Sequence, residues 1–175
     1  MALQCGRKKV GIYSCINQYE FSTYIEEVTR LDYYIHPIGH VEKSADSIYL
    51  VINPEFWDAT VHLELFSHLI VLWWIHERDT KEDRSTLLSN PPRGKGKEPS
   101  GAFSCRTPLR PNPIGHTIVK LESVETGSKK LKVDHMDAKD GSPIIDIKPY
   151  LPSSDRVDDA KVAPWFEELE PRYTK

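Results

Sequence analysis

The sequence predicts a mainly β fold, a small closed or partly closed β-barrel with short peripheral helices. Three observations predict it. Short apolar-alternating segments recur along the chain, glycine- and proline-containing turns separate them, and the alternation of strands with long helices that a dinucleotide-binding fold needs is absent. The 175 residues suffice for one well-buried domain. With 39% hydrophobic and 28% charged residues the composition is that of an ordinary globular protein.

In order along the chain, residues 1–30 read as an N-terminal extension of unknown role, and residues 31–175 as the barrel domain. Within the extension, Thr23 and Glu26 have the spacing of a capping box and predict a short helix. "YYIHPIGHVEK" and "SIYLVIN" predict two strands around the polar turn "SADS", with Ile48, Leu50 and Ile52 on one face. "LIVLWWIH" (Leu69–His76) is a continuous apolar run rich in β-branched and aromatic residues, which predicts a central strand buried on both sides. "DTKEDRSTLL" predicts a helical turn capped by Asp79 and completed by Glu82. "NPPRGKGKEPSG" reads as a loop. "HTIVKLESVE", "KLKVDHMD" and "IIDIKPY" predict three further strands, the second alternating Leu131, Val133 and His135 inward and the third placing Ile145 and Ile147 together. "DGSP" predicts the turn before the last strand. "APWFEEL" predicts a final helical turn docking Trp165 and Phe166.

Cys5, Cys15 and Cys105 are few, odd in number and widely spaced, which argues against a disulfide framework and for the cytoplasm. No long apolar segment opens the chain as a secretory signal, and the apolar run at Leu69 is too short to span a bilayer. No CxxC or HExxH occurs, and Pro37 and Gly39 break the spacing of His36 and His40, so no metal site is expected. The formal net charge of −3 does not itself suggest a polyanion partner. Between Arg84 and Arg110, however, Arg84, Arg93, Lys95, Lys97, Arg106 and Arg110 face only Glu98. Such a patch suits nucleic acid, and suits a solvated loop equally.

"RTPLRPNPIG" (Arg106–Gly115) carries three prolines and two arginines. Prolines fix φ and push Thr107, Arg110 and Asn112 toward extended backbone, so the segment reads either as a rigid connector or as a preorganised loop holding Arg106, Arg110 and Asn112 against a ligand. Cys105 beside Arg106 reads as a structural cysteine or as a thiol with a lowered pKa. Asp134 and Asp137, near a strand end, read as partners of the arginines or as acceptors for a ligand.

Together, "LELFSHLIVLWWIHE", "GAFSCRTPLRPNPIG" and "DAKDGSPIIDIKPYLP" resemble the three signature blocks of the TsaA-like family, also called YaeB or TrmO, over roughly Ile35 to Tyr150. The resemblance implies a homodimeric β-barrel that binds S-adenosylmethionine and methylates N6 of N6-threonylcarbamoyladenosine in the anticodon loop of tRNA. It implies cofactor contacts from His76, Glu77, Arg106, Pro113, Ile114, His116 and the run Asp134, His135, Met136 and Asp137, some through main-chain atoms. Arg93, Lys95, Lys97, Arg110 and Asn112 are then expected to meet the tRNA substrate. No general base is evident; His76 is the best titratable candidate. Against the family pattern, the first strands are joined by the short "EKSADS" turn where a longer loop is usual. The family pattern leads to the expectation of a C-terminal domain beyond Trp165, where this sequence soon ends, and residues 1–30 are not placed by the resemblance. The alternatives are a non-catalytic S-adenosylmethionine-binding sensor and a protein for another nucleotide-like ligand.

Overall fold

A computed structural model describes residues 34–90 and 98–167. By its contacts the chain divides between Tyr34 and Ile35, and the described strands and helices all belong to the unit that begins at Ile35. The expected helix at Thr23–Glu26 and the basic residues Arg93, Lys95 and Lys97 lie outside the described residues, as does the side chain of Trp165.

The strands are β1 (Gly39–Lys43), β2 (Ile48–Ile52), β3 (His68–Trp74), β4 (Leu88–Ser89), β5 (Ser100–Gly101), β6 (Ile114–Glu125), β7 (Lys130–Val133) and β8 (Pro143–Pro149). Among the described residues three short α-helices, α1 (Lys81–Ser85), α2 (Pro152–Asp155) and α3 (Pro164–Glu167), lie outside the sheet. Six strands form a closed ring in the order β1-β2-β7-β6-β3-β8, each antiparallel to its neighbours, and β4 and β5 form a separate ribbon. This is the mainly β fold that the alternating segments predict. Closure leaves the main ring without an edge to pair with another chain.

The inward faces meet in one core. Val41, Leu50, Leu69, Val71, Val119, Leu131 and Ile144 are wholly buried, and each such side chain contributes about 1.5–3 kcal/mol relative to exposure. Four local readings change. β3 is central, between β6 and β8, but it is not buried on both sides: Leu69, Val71 and Trp73 face the core while Ile70, Leu72 and Trp74 are half-buried. The cap of α1 is Thr80, whose Oγ1 accepts from the Asp83 N–H at 3.0 Å; Asp79 is taken by Trp74 and Arg84. The alternation through "KLKVDHMD" stops at Val133, where β7 ends, so that Met136 rather than His135 joins the core. In β8, the pairing with β3 steps from Asp146 opposite Leu72 to Ile144 opposite Trp73. That bulge skips Ile145 and turns Ile144 into the core.

The same end of the ring collects the C-terminus of β3, the N-terminus of β6 and the N-terminus of β8. Three irregular segments meet there: residues after Trp74, the proline-rich run before Ile114, and the loop from Asp134 to Ser142. Gly141 turns that last loop with φ of 73°, a left-handed conformation that glycine adopts without steric cost. Asp140 Oδ1 fastens it to β1 by accepting the Lys43 N–H at 2.8 Å.

Candidate functional site: a two-lobed cavity at one end of the ring

Trp73 is the last inward-facing residue of β3, and its indole is the floor of the site. Its Nε1–H donates to Thr117 Oγ1 at 3.0 Å, inside the core. Opposite it in the ladder is Gly115, where an added Cβ would stand 2.2 Å from the indole ring. A glycine is required at this place so that the β6 backbone can lie against the ring.

Two cavities open on this floor, of about 740 Å³ and about 260 Å³. Trp73, Ile75, Pro108 and Asp137 line both, so they form two lobes of one depression. The proline-rich segment walls the larger lobe and presents Arg106, Arg110 and Asn112 to it, with Ile114 and His116 of β6 beside them. The smaller lobe is walled by His76 and Glu77 after β3 and by Lys139 and Ser142 of the last loop. The prolines thus stiffen the wall of a cavity, and the segment is not merely a connector.

Among the residues that the sequence singles out, the lobes bring together His76, Glu77, Arg106, Arg110, Asn112, Ile114, His116 and Asp137. Pro113 is buried behind the wall, and its carbonyl accepts the Ile75 N–H at 2.7 Å. Asp134, His135 and Met136 are not among the lining residues. β7 ends opposite Leu121, well along β6 from its start, and the loop reaches the cavity end only at Asp137. Asp134 instead accepts the Lys120 N–H at 2.8 Å and lies 2.7 Å from His135 Nδ1. Met136 is in the core, and its carbonyl accepts from Lys43 Nζ at 2.6 Å.

The electrostatics are uneven. Desolvation, and then the nearby Arg106 charge, hold the His116 pKa below 6.5, so its imidazole favours the neutral form at pH 7. Glu77 is held below 4.5 first by its hydrogen bond from Lys139, against a smaller opposing effect of burial. For Asp134, desolvation raises the pKa but is outweighed by the hydrogen bonds from His135 and the Lys120 N–H, and the net direction is down.

Reading for motifs missed Trp73, Gly115, Phe103 and Ser142. The pairing of "WW" with "PNPIG" across β3 and β6 carries the first two, and is visible only once register is known. Phe103 is 83% exposed at the larger lobe. Ser142 is 1% exposed, and its Oγ is buried with no hydrogen-bond partner among the described residues. Buried polar atoms are nearly always partnered, so an orphan hydroxyl lining a cavity marks a place for a ligand atom or water. Cys105 is buried at the larger lobe, with its Sγ toward the Gly101 carbonyl at 3.5 Å. Among the described residues no group of three or more His, Cys, Asp or Glu is placed to hold a metal ion.

A closed antiparallel ring with a charged two-lobed cavity built on its terminal loops defines a ligand-binding β domain. The chain belongs to the family of the tRNA-methyltransferase O N-terminal domain, whose model matches residues 36–156. It is 41% identical over 129 residues to a probable S-adenosyl-L-methionine-binding protein of Archaeoglobus fulgidus, covering 74% of this chain and 33% of that protein. It is 37% identical over 127 residues to the tRNA (adenine(37)-N6)-methyltransferase of Escherichia coli, covering 71% of this chain and 53% of that enzyme. Among solved structures, TrmO from P. aeruginosa superposes with a TM-score of 0.59 at 27% identity, covering 78% of this chain and 63% of that one. The chain thus spans a third of the first relative and about half of the second.

Proposed function

We propose that the chain binds S-adenosylmethionine in the two-lobed cavity and transfers its methyl group to N6 of N6-threonylcarbamoyladenosine in the tRNA anticodon loop. The observation that carries the reading is the polar set: three guanidiniums (Arg78, Arg106 and Arg110), two carboxylates and an unpartnered buried hydroxyl around an aromatic floor. It fits the cofactor's chemistry. Arg106 or Arg110 suits an amino-acid carboxylate, Asp137 and Glu77 suit an ammonium group and ribose hydroxyls, and Ser142 Oγ suits one further polar atom. Trp73 and Ile75 offer the apolar surface that a purine needs.

When bound, S-adenosylmethionine supplies a methyl group activated by its sulfonium. The protein's part is to hold nucleophile and methyl group in line, where positioning lowers the barrier most. The N6 nitrogen must lose a proton, and a neutral imidazole can take it. His116, which lines the larger lobe, suits that role, because its depressed pKa favours the neutral form at pH 7. Phe103 offers an exposed ring on which a splayed base can stack. Arg93, Lys95 and Lys97, in the sequence between β4 and β5, supply positive charge for tRNA phosphates. The proposal includes a homodimer in the cytoplasm; the exposed Val61 and Leu65 offer apolar area for association.

The rival is a non-catalytic S-adenosylmethionine-binding sensor, favoured by the binding-protein name of the Archaeoglobus relative. Methyl-labelled S-adenosylmethionine incubated with the protein and tRNA, followed by nucleoside mass spectrometry, separates them. Label on N6-threonylcarbamoyladenosine is expected. Cofactor binding without label on any nucleoside, alongside an active control enzyme, overturns the methyltransferase reading in favour of the sensor.

A further inference from the structure

The wall of the larger lobe poses a mechanical problem. Pro108, Pro111 and Pro113 have no N–H, so the segment is rich in carbonyl acceptors and poor in donors. Whatever fixes it from outside must bring donors. At the β6 end the Ile75 N–H does so, at the Pro113 carbonyl. In the middle of the segment a side chain does: Arg84 Nη1 donates to the Pro111 carbonyl at 3.4 Å.

Arg84 lies outside the lining of both lobes, and it is itself fixed on two other sides. Its Nε donates to Asp79 Oδ1, and its Cζ lies 5.3 Å from the centroid of the Trp74 ring. Asp79 Oδ2 accepts the Trp74 Nε1–H at 2.8 Å, which closes a cycle of three side chains. Trp74 is the last residue of β3 and pairs with Ile114, the first of β6. The cycle is therefore rooted in the ladder from which the proline-rich segment departs.

We infer that Arg84 is a positioning residue for the cavity: it fixes the Pro111 carbonyl and so aims the flanking Arg110 and Asn112 into the larger lobe. Arginine is needed because one planar guanidinium can meet a carboxylate on one edge and a carbonyl on another while its face lies on an indole. A lysine ammonium can oppose Asp79 but has no fork to reach both acceptors. The prolines make a single brace sufficient, since a segment with few free torsions moves nearly as a body. What the cavity binds rests on the proposed function; the brace does not.

The test uses the full chain with Arg84→Lys and Arg84→Ala, read by hydrogen exchange of peptides covering the segment and by S-adenosylmethionine affinity. Arg84→Lys keeps a positive charge opposite Asp79, so its unfolding midpoint stays near that of the parent protein. Its exchange at the Leu109 and Ile114 amides, which are bonded to Thr107 Oγ1 and to the Asn112 carbonyl, is expected to rise about fivefold, the loss of one hydrogen bond, with β3 and the rest of β6 unchanged. Affinity is expected to fall by a similar factor, and Arg84→Lys should not rescue what Arg84→Ala loses. Parent-like exchange in Arg84→Lys overturns the inference. So does an increase spread equally over β3 and β6, which marks general loosening, or faster exchange with unchanged affinity, which leaves the brace without a role in binding. If the parent protein binds no S-adenosylmethionine, the proposed ligand fails, and the exchange arm still decides the brace.

Discussion

Gly115→Ala gives a sharp test of how the site is built. An alanine Cβ there would stand 2.2, 2.4 and 2.5 Å from three carbons of the Trp73 indole, where carbon–carbon contacts normally lie at about 3.5–4.0 Å. More than an ångström of relief is needed. The β6 backbone cannot supply it, because Gly115 is the ladder partner of Trp73 and is flanked by paired Ile114 and His116. The indole must move, which breaks its bond to Thr117 Oγ1. Overpacking of this kind costs ~1–3 kcal/mol, and the lost hydrogen bond adds ~1 kcal/mol. A destabilisation on the order of 3 kcal/mol is therefore expected in urea unfolding, through a lower midpoint at unchanged slope. Trp73→Phe on the same background removes part of the clashing ring, so the double variant should be more stable than the two single losses added together. The steric reasoning is refuted if Gly115→Ala stays within about 0.5 kcal/mol of the parent, the ordinary range for a surface change.

Four other outcomes are expected from the same geometry. Ser142→Ala removes a buried hydroxyl without a partner, so the ligand-free protein should gain ~1 kcal/mol in urea unfolding while S-adenosylmethionine affinity falls; a loss of stability would show the hydroxyl already satisfied. Arg106→Ala should weaken S-adenosylmethionine binding about tenfold, the worth of one charge-assisted bond. The hydrogen bond from Arg84 is the largest influence on Asp79; burial opposes it, and with the further hydrogen bond from Trp74 the net direction is below 3.8. The stability this lends is present above 3.8 and is lost as pH falls through the depressed folded value. The stability gap between the parent and Asp79→Asn should thus be constant near neutrality and shrink as pH falls below the ordinary value of 3.8, as chemical denaturation across pH would show. Replacing Arg93, Lys95 and Lys97 with Ala should reduce both tRNA affinity and the slope of its salt dependence by up to about three phosphate contacts, measured by filter binding.

Much of the ring was legible because a half-buried strand writes its burial into alternate residues, as Ile48–Ile52 does with Leu50 and Ile52 inward. Where alternation fails, the reading failed with it. The bulge at Ile145 shifts the inward residue of β8 to Ile144, and no local pattern marks where a register will slip. The cap of α1 went to Thr80 because Asp79 is held by Arg84 and Trp74, contacts that depend on tertiary placement. In the site, the proline-rich segment announced itself through residue chemistry. Trp73 and Gly115 did not, since a tryptophan in an apolar run and a glycine after an isoleucine are ordinary until β3 and β6 are laid side by side. Asp134 and Asp137 look equivalent in the sequence; only the loop's path along the ring puts one against Lys120 and the other in the cavity.

The most direct measurement is a calorimetric titration of the purified protein with S-adenosylmethionine, repeated with Arg106→Ala and Ser142→Ala. Saturable binding at one site per chain is expected, weakened by both substitutions. Absence of binding, or binding that neither substitution weakens, contradicts the assignment of the two-lobed cavity to this cofactor.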